Sequence, residues 1–415
     1  MEKVRTVFPT PWVPMSEILR ERMSFFIARD NNRDGAPFKQ GMKHVALVAA
    51  ILACSQDRRA PDLCQMWSHG ACPDKKGPVR LTHTPMNLDD VGTILPYGLM
   101  VGAHVTPIDH GYFTPKDLKA GRTKYDVFAV ADGTIVHIQR RMKAVVDSGE
   151  KNRETDEYRL VIAHSCTFWT YYDLITQLDT SISDVTGEIK DMKPVLCKIA
   201  IKGGQLIGKV GGQTLDFAAV DKEKTLKNIV VPEHYDREPW KIHTVDFFDC
   251  YDEPLKSKML ALNPRKAEPR GGRIDYDIDG KLVGTWFLEK TNGYGGAAGE
   301  KRGYWAGHLS IVYHYMDPSI VIVSHGDWNG KSAQFAVKGN TPDPAKIGVK
   351  DGIVTYELTW APVMNNGRKS EVDPRVQGVV LFQVLEERKL KVEAFPGKAG
   401  DDVKEFTAAA KIYER

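Results

Sequence analysis

The feature that most constrains this chain is the repetition of short β-type segments separated by turn residues. From Asn87 onward, runs such as YRLVIAH, FWTYYDLI and GIVTYELTWA are rich in β-branched and aromatic residues. Residues that favour tight turns lie between such runs, as at Asp279-Gly280. The pattern therefore predicts a mainly β protein.

The length of 415 residues indicates more than one domain. We expect an N-terminal segment at 54–92, a first β domain at 93–225, and a Pro-rich, charge-rich connector at 226–270 with a brief helix near Leu255–Leu262. In the first domain, the turn Asp132-Gly133 predicts a hairpin between the strands on either side of it.

A second all-β domain is expected at 271–415, where about eight short strands at regular spacing predict a sandwich or a closed barrel. Within it, GTWF at Gly284–Phe287 is similar to the Gly-x-Trp that closes lipocalin-like barrels; the alternative is that Trp286 is an ordinary core aromatic. The spacing of Val403, Phe406 and Ala410 predicts a short C-terminal helix.

The longest aliphatic run, VALVAAILA at Val45–Ala53, follows Met42-Lys43-His44 and ends at Cys54. Read from Met42, it has the basic start and apolar length of a secretory signal peptide. Its end resembles the lipobox of bacterial lipoproteins, in which the cysteine is lipidated. We therefore interpret residues 1–53 as a leader or upstream segment, and we expect an exported cell-envelope lipoprotein held to a membrane by lipid on Cys54. A buried helix of nine apolar residues is the alternative.

The small basic excess belongs to this leader. The chain has 57 Lys+Arg and 54 Asp+Glu, and residues 1–53 hold eight and five of these, so that 49 of each remain from Cys54 onward. Basic and acidic residues alternate in the balanced remainder, and we expect no nucleic-acid partner. No apolar run approaches the roughly eighteen residues that span a bilayer.

Two cysteines, Cys64 and Cys72, flank the short loop QMWSHGA. In an oxidising envelope they are candidates for a disulfide. The alternative is a zinc site that includes His69, although only three ligands are visible in the sequence and their spacing matches no standard pattern.

Four segments between about Ile94 and Ala219 carry a family resemblance: VGAHVTPIDH, YDVFAVADGTIVHI, YRLVIAHSCTFWTYYDLI and IKGGQLIGKVGG. In this order they resemble the lysostaphin-type zinc peptidases, which cleave peptidoglycan cross-links on a duplicated-hybrid-motif β fold. The last segment matches the family's "V-x-x-G-Q-x-I-G-x-x-G" pattern and is the most specific. The resemblance covers about a third of the chain.

The resemblance implies a metal site that has changed. The early histidine and aspartate ligands of the family fall on His104 and Asp109, and the late ligand histidine falls on Asp216. Asp173 stands where the family has one assisting histidine, and Thr214 stands where it has the other. Both assisting histidines are therefore missing, and one zinc ligand has become a carboxylate.

Strand geometry leaves His110 as an alternative to Asp109. Residues an even number apart share a face of a strand, as His104 and His110 do, whereas His104 and Asp109 share one only if Pro107 breaks the strand. A site of His104, Asp109 and Asp216 would be rich in oxygen and would suit zinc or a harder divalent ion. Asp173 would be the candidate base.

Two functions follow from the resemblance. The first is a cell-envelope protein with a degenerate peptidase-like domain that acts as a binding or structural module, with peptidoglycan or an envelope protein as its partner. The alternative is an active metal-dependent hydrolase of peptidoglycan or peptides that uses Asp173 as its base. Metal binding without peptidase activity is an intermediate reading.

Overall fold

The computed structural model describes residues 62–69, 72–73, 78–142, 156–191, 193–362, 364–365, 368–370 and 373–415. Within these ranges the protein is mainly β, as the sequence predicts. The leader expected at 1–53 and the lipidation site expected at Cys54 lie outside the described residues. In the part of the chain that is described, no helix has the length and apolarity to cross a bilayer.

The strands of the first β region and the connector are β1 (Val91–Leu95), β2 (Gly111–Pro115), β3 (Tyr125–Phe128), β4 (Gly133–Met142), β5 (Asp156–Ala163), β6 (Phe168–Ile175), β7 (Gln177–Leu178), β8 (Val195–Ile201), β9 (Leu206–Val210), β10 (Leu215–Asp221) and β11 (Thr244–Val245). The α-helices are α1 (Thr180–Thr186) and α2 (Leu255–Ala261). The second of these confirms the helix that the sequence predicts in the connector.

The strands of the C-terminal region are β12 (Gly284–Leu288), β13 (His308–Tyr313), β14 (Val321–Trp328), β15 (Lys331–Val337), β16 (Val354–Trp360), β17 (Met364–Asn365), β18 (Arg368–Lys369), β19 (Val376–Glu386), β20 (Lys389–Pro396) and β21 (Lys411–Glu414). Short 3-10 turns connect many of the strands in both regions, and a π-helical turn spans Cys64–Ser68.

The first region is a large sheet packed against a small one. The large sheet has the order β1-β2-β10-β6-β5-β4-β8, with β11 also paired to β10, and the small sheet has the order β3-β9-β7. One hydrophobic core joins them, since Val127 and Ile207 of the small sheet belong to the same buried cluster as Ile135, Ile162 and Phe217 of the large one. This two-layer arrangement leaves the other face of the large sheet available for a site.

The predicted hairpin at Asp132-Gly133 is wrong. The strands on either side of this turn form, but β3 pairs with β9 in the small sheet, while β4 pairs with β5 and β8 in the large one. Residues between β3 and β4 bond elsewhere: the Ala129 amide donates to Gln205 and the Val130 carbonyl accepts from Thr82 and His83. The chain therefore crosses from one layer to the other.

The outer face of the large sheet is covered by apolar side chains from distant segments. Along β6, Trp169 and Tyr171 point to this face, opposite to Tyr172 in the main core. Trp67 from the N-terminal segment and Trp240 from the connector pack over them, with the Trp67 and Trp240 rings stacked at 5.4 Å. The covering layer explains why every residue of β6 is buried.

The second domain is a closed antiparallel barrel in the order β12-β13-β14-β15-β16-β19-β20-β21. The eight strands resolve the choice between sandwich and barrel that the sequence leaves open. Large side chains fill the barrel, including Trp286, Phe335, Tyr356 and Phe382. Arg415 closes one end, because its guanidinium lies 4.0 Å from the centre of the Trp286 ring; it also donates to the carbonyls of three residues, Ile278, Lys281 and Val283.

The C-terminal helix predicted from Val403, Phe406 and Ala410 is wrong. A short 3-10 turn at Gly400–Asp402 is followed by extended chain, and residues 411–414 form β21 between β12 and β20. Tyr413 points into the filled interior. Pairing with two otherwise open strand edges outweighs the helical spacing of three apolar residues.

Candidate functional site: a buried ion cluster

Three neighbouring strands of the large sheet, β2, β10 and β6, bring the sequence-predicted carboxylates together on the outer face. β10 lies between β2 and β6, so that Asp216 is directly opposite both Tyr112 and Asp173. Asp109 and His110 immediately precede β2 and are buried beside them. The sequence-based placement of Asp109, Asp173 and Asp216 in one region agrees with this arrangement.

Asp109 is held by three donors. Lys241 Nζ donates to its Oδ1 at 2.6 Å, and Trp240 Nε1 and the Tyr171 hydroxyl donate to its Oδ2, each at 3.0 Å. Burial alone would raise the pKa of Asp109, but the charges of Lys241 and His110 outweigh it and hold that pKa well below its usual value. Asp109 is therefore an ionised carboxylate that already has an internal cation.

Lys241 comes from the connector. It lies on a 3-10 turn, Pro239–His243, which begins at a proline because a first-turn residue needs no backbone donor. Its ammonium group also lies 3.3 Å from Glu238 Oε2 and 5.0 Å from the centre of the Tyr294 ring. Only 5% of Lys241 is exposed, so its charge depends on these partners.

His110 connects the two carboxylates on either side of it. Its Nε2 forms an ion pair with Asp216 Oδ2 at 3.2 Å, and its Nδ1 lies 3.1 Å from the Tyr171 hydroxyl, which in turn donates to Asp109. Burial lowers the pKa of His110, but Asp216 and Asp109 outweigh burial and raise that pKa to about 9. The imidazole is therefore a cation at neutral pH.

Asp173 is enclosed by two arginines. Arg141 and Arg159 both donate to its carboxylate through Nη2, and Arg159 Nε donates to Oδ2 at 2.9 Å. Burial raises the pKa of Asp173, but the two guanidinium groups reverse this effect and lower it. Asp173 is the residue expected to be a base, and the structure places it as the shared anion of two buried cations.

His104 stands apart from this network. It forms a backbone bridge with Val101, and its Nε2 is buried with no hydrogen-bond partner among the described residues. Burial, followed by the charge of His110, lowers the pKa of His104 to about 3, so its ring is neutral. The His104 and His110 ring centres are 6.4 Å apart, which is too far for both rings to share a hydrogen bond.

The predicted metal set does not fit a divalent ion in this arrangement. Within the described ranges, the group of His, Cys, Asp and Glu side chains whose ligand atoms converge within 4.8 Å is Cys64, Cys72 and Cys166. His104, Asp109 and Asp216 do not form such a group, and Lys241 occupies an oxygen of Asp109. A zinc ion at Asp109 would take this carboxylate from the buried ammonium group and leave it with Glu238 as its acidic partner, which is costly.

The cluster neutralises its own charge. Its formal anions are Asp109, Asp173, Asp216 and Glu238; its formal cations are His110, Lys241, Arg141 and Arg159. Glu157 is also buried nearby, and burial raises its pKa to about 7. Four charges of each sign therefore compensate one another without any bound ion.

The barrel domain closes over the same region. Tyr294, from the loop between β12 and β13, lies against Lys241 and next to Tyr304. On β15, the Gln334 side chain exchanges two hydrogen bonds of 3.0 Å with the backbone of Gly102. The connector and the barrel therefore lie over the outer face of the large sheet at this cluster.

The disulfide predicted between Cys64 and Cys72 is wrong in its pairing. Cys72 is bonded to Cys166, at the turn between β5 and β6, and Cys64 is a free thiol with its Sγ 3.7 Å from that of Cys72. Hydrophobic packing of Trp67 against Trp169 brings the N-terminal segment to this turn. Sequence proximity alone could not reveal that contact.

The structure is mainly β, with a closed barrel in the C-terminal region and a buried cluster of acidic and basic side chains on the outer face of the large sheet. No protein-family model matches the chain, and no curated protein shows detectable similarity to it.

Among solved structures, the chain is weakly similar to a zinc-containing peptidase from Vibrio cholerae, with 15% identity over 36% of this chain and 38% of that one, at a TM-score of 0.18. It is also similar to lysostaphin, with 13% identity over 80% of this chain and 90% of that one, at a TM-score of 0.21. The match therefore spans well under half of the Vibrio peptidase. Scores this low do not establish a shared fold or a shared activity.

Proposed function

We propose that the first β domain is a non-catalytic binding or structural module, a degenerate relative of the lysostaphin-type peptidases. The observation that carries this proposal is the 2.6 Å ion pair between Lys241 and Asp109. The family resemblance makes Asp109 a metal ligand, and here a lysine of the same chain supplies the positive charge. A permanent internal cation stabilises the fold and performs no chemistry on a substrate.

The position of Asp173 supports the same proposal. A general base must reach the proton that it removes, and its conjugate acid must form at working pH. Asp173 has its oxygens on Arg141 and Arg159, and its pKa is lowered. Activation of a water molecule would require these contacts to break inside a buried site.

One observation favours the rival function, a metal-dependent hydrolase. His104 Nε2 is a buried nitrogen with no partner among the described residues, and a neutral imidazole nitrogen is the form that binds zinc. In the rival function, His104, Asp109 and Asp216 would hold a divalent ion after Lys241 moved away from Asp109.

Metal analysis together with an activity assay separates the two functions. The full chain is purified, exposed to zinc, washed by gel filtration, and assayed for bound zinc and for cleavage of a cross-linked peptidoglycan peptide. We expect no stoichiometric zinc and no cleavage. Two results together would refute the non-catalytic module. The wild-type protein would cleave the peptide, and it would bind stoichiometric zinc that is lost in His104→Ala but kept in His83→Ala, a control at an exposed histidine.

We further propose that the protein works in the cell envelope, anchored by lipid on Cys54, with peptidoglycan or an envelope protein as its partner. The aliphatic run that ends at Cys54 supports this location. The mass of the mature N-terminus from the native host tests it, since an unmodified Cys54 or an intact Met1 would contradict lipidation. Co-sedimentation of the protein with purified peptidoglycan tests the proposed partner. The same assay on Trp67→Ala asks whether binding depends on the side chains that cover the outer face of the large sheet.

A further inference from the structure

We propose that Cys64, Cys72 and Cys166 form an intramolecular thiol–disulfide exchange site. The three Sγ atoms lie within 4.8 Å of one another, and the free thiol of Cys64 is 3.7 Å from the bonded sulfur of Cys72. A thiol held beside a disulfide is the arrangement from which exchange proceeds. This inference is independent of the proposed function of the ion cluster.

The exchange step balances within the protein. The Cys64 thiolate attacks Cys72 Sγ, a Cys64–Cys72 bond forms, the Cys72–Cys166 bond breaks, and the bonding electrons leave with Cys166 as its thiolate. The proton that Cys64 gives to solvent is matched by the proton that Cys166 takes up. One disulfide and one thiol exist before and after the step, so no oxidant or reductant is needed.

Packing holds the participants in place. Leu63 and Trp67, on either side of Cys64, are buried against the outer face of the large sheet. Cys64 itself is half-buried and is therefore accessible for a change of side-chain conformation. The sulfur cluster persists because hydrophobic contacts, and not the disulfide alone, keep the N-terminal segment beside the β5–β6 turn.

The two pairings have different structural effects. The Cys72–Cys166 bond joins residues 94 apart and fastens the N-terminal segment to the β5–β6 turn. A Cys64–Cys72 bond would join residues eight apart, and it would leave that segment attached by non-covalent contacts alone. Exchange therefore converts a long-range cross-link into a local one and releases a thiol at Cys166.

Peptide mapping of the full chain tests the exchange. Purified protein is incubated at pH 8 without added thiol, quenched with acid, alkylated in denaturant and digested with trypsin. Cys64 and Cys72 fall in one tryptic peptide because no lysine or arginine lies between Arg59 and Lys75. The original pairing gives this peptide cross-linked to the Cys166 peptide; the exchanged pairing gives it with an internal bond, together with an alkylated Cys166 peptide.

We expect both products in the wild-type protein and in Cys197→Ser, which removes a thiol outside the cluster. The internal Cys64–Cys72 bond should be absent in Cys64→Ser. In Cys166→Ser, where Cys72 has lost its usual partner, the Cys64–Cys72 bond should be present from the start. In the wild-type protein its rate of appearance should fall as the pH is lowered, because the thiolate and not the thiol attacks a disulfide. An internal bond that is absent at pH 8 in the wild type, or a Cys64–Cys166 product in its place, would overturn the proposal.

Discussion

Replacement of Lys241 by methionine tests the central feature of the ion cluster. Methionine keeps an unbranched apolar stem that is one atom shorter than lysine, and it removes the charge that neutralises Asp109 and Glu238. Removal of one partner from a buried ion pair costs about 3–5 kcal/mol. Asp109 keeps the Trp240 and Tyr171 donors, so we expect a loss near the lower limit, about 3 kcal/mol.

The loss should depend on pH in a defined direction. Burial raises the pKa of Glu238 even with Lys241 present, and without the ammonium group Glu238 and Asp109 will take up protons more readily. Protonation relieves the unpaired negative charge, so the destabilisation of Lys241→Met should be smaller at pH 5 than at pH 8.

Denaturant unfolding of the full chain measures this effect as a difference in free energy of unfolding. The matched control is Lys222→Met, which breaks the largely exposed ion pair with Asp62 and should change stability by at most about 1 kcal/mol. A Lys241→Met loss no larger than that of the control would refute the claim that Lys241 is the cation of the cluster.

Four further perturbations test other parts of the structure. The folded-state pKa of His110 is about 9, above its ordinary 6.5. The stability that the charged His110 contributes should therefore be full below pH 6.5 and lost by pH 9. His110→Gln should remove this pH-dependent part of the free energy of unfolding, which is about 3 kcal/mol. The pKa of His104 is lowered to about 3, so its burial should cost stability as pH falls below 6.5, and His104→Gln should make acid unfolding shallower. Arg415→Met should cost about 3 kcal/mol because it leaves buried carbonyls unpaired, whereas the exposed Arg388→Met should cost at most about 1 kcal/mol. Trp67→Ala should lower the free energy of unfolding by about 3–5 kcal/mol, because it removes a large buried aromatic side chain. An unfolding midpoint equal to that of the wild type would contradict the role of Trp67 in covering the outer face.

The β content and the barrel could be predicted because they depend on local patterns. Short runs rich in β-branched and aromatic residues, such as Val376–Glu386, with turn residues between them, specify strands whatever their partners. Strand pairing was harder to predict from the sequence, because β3 and β4 are adjacent in sequence but lie in different sheets. The C-terminal strand was missed because its pairing with β12 and β20 is a property of the closed barrel.

The sequence named most of the acidic residues of the ion cluster but not the lysine and the arginines that pair with them. The resemblance placed Asp109, Asp173 and Asp216 together, and strand geometry kept His110 as a candidate. The cations that decide the chemistry, such as Lys241, come from segments with no motif, and their contacts depend on tertiary packing. The nearest sequence signal was the segment EPWK, in which a tryptophan stands beside charged residues within a Pro-rich and charge-rich connector.

The closed barrel also constrains how the chain can fold. β12 pairs with β21, more than 120 residues later in the sequence, and such distant contacts make folding slow. During synthesis, β12 and β20 would present open edges until β21 is available, and exposed edges recruit strands from other chains. Deletion of 411–415 should therefore reduce the soluble yield more than the loss of a few contacts suggests, because the barrel would remain an open sheet with two unpaired edges.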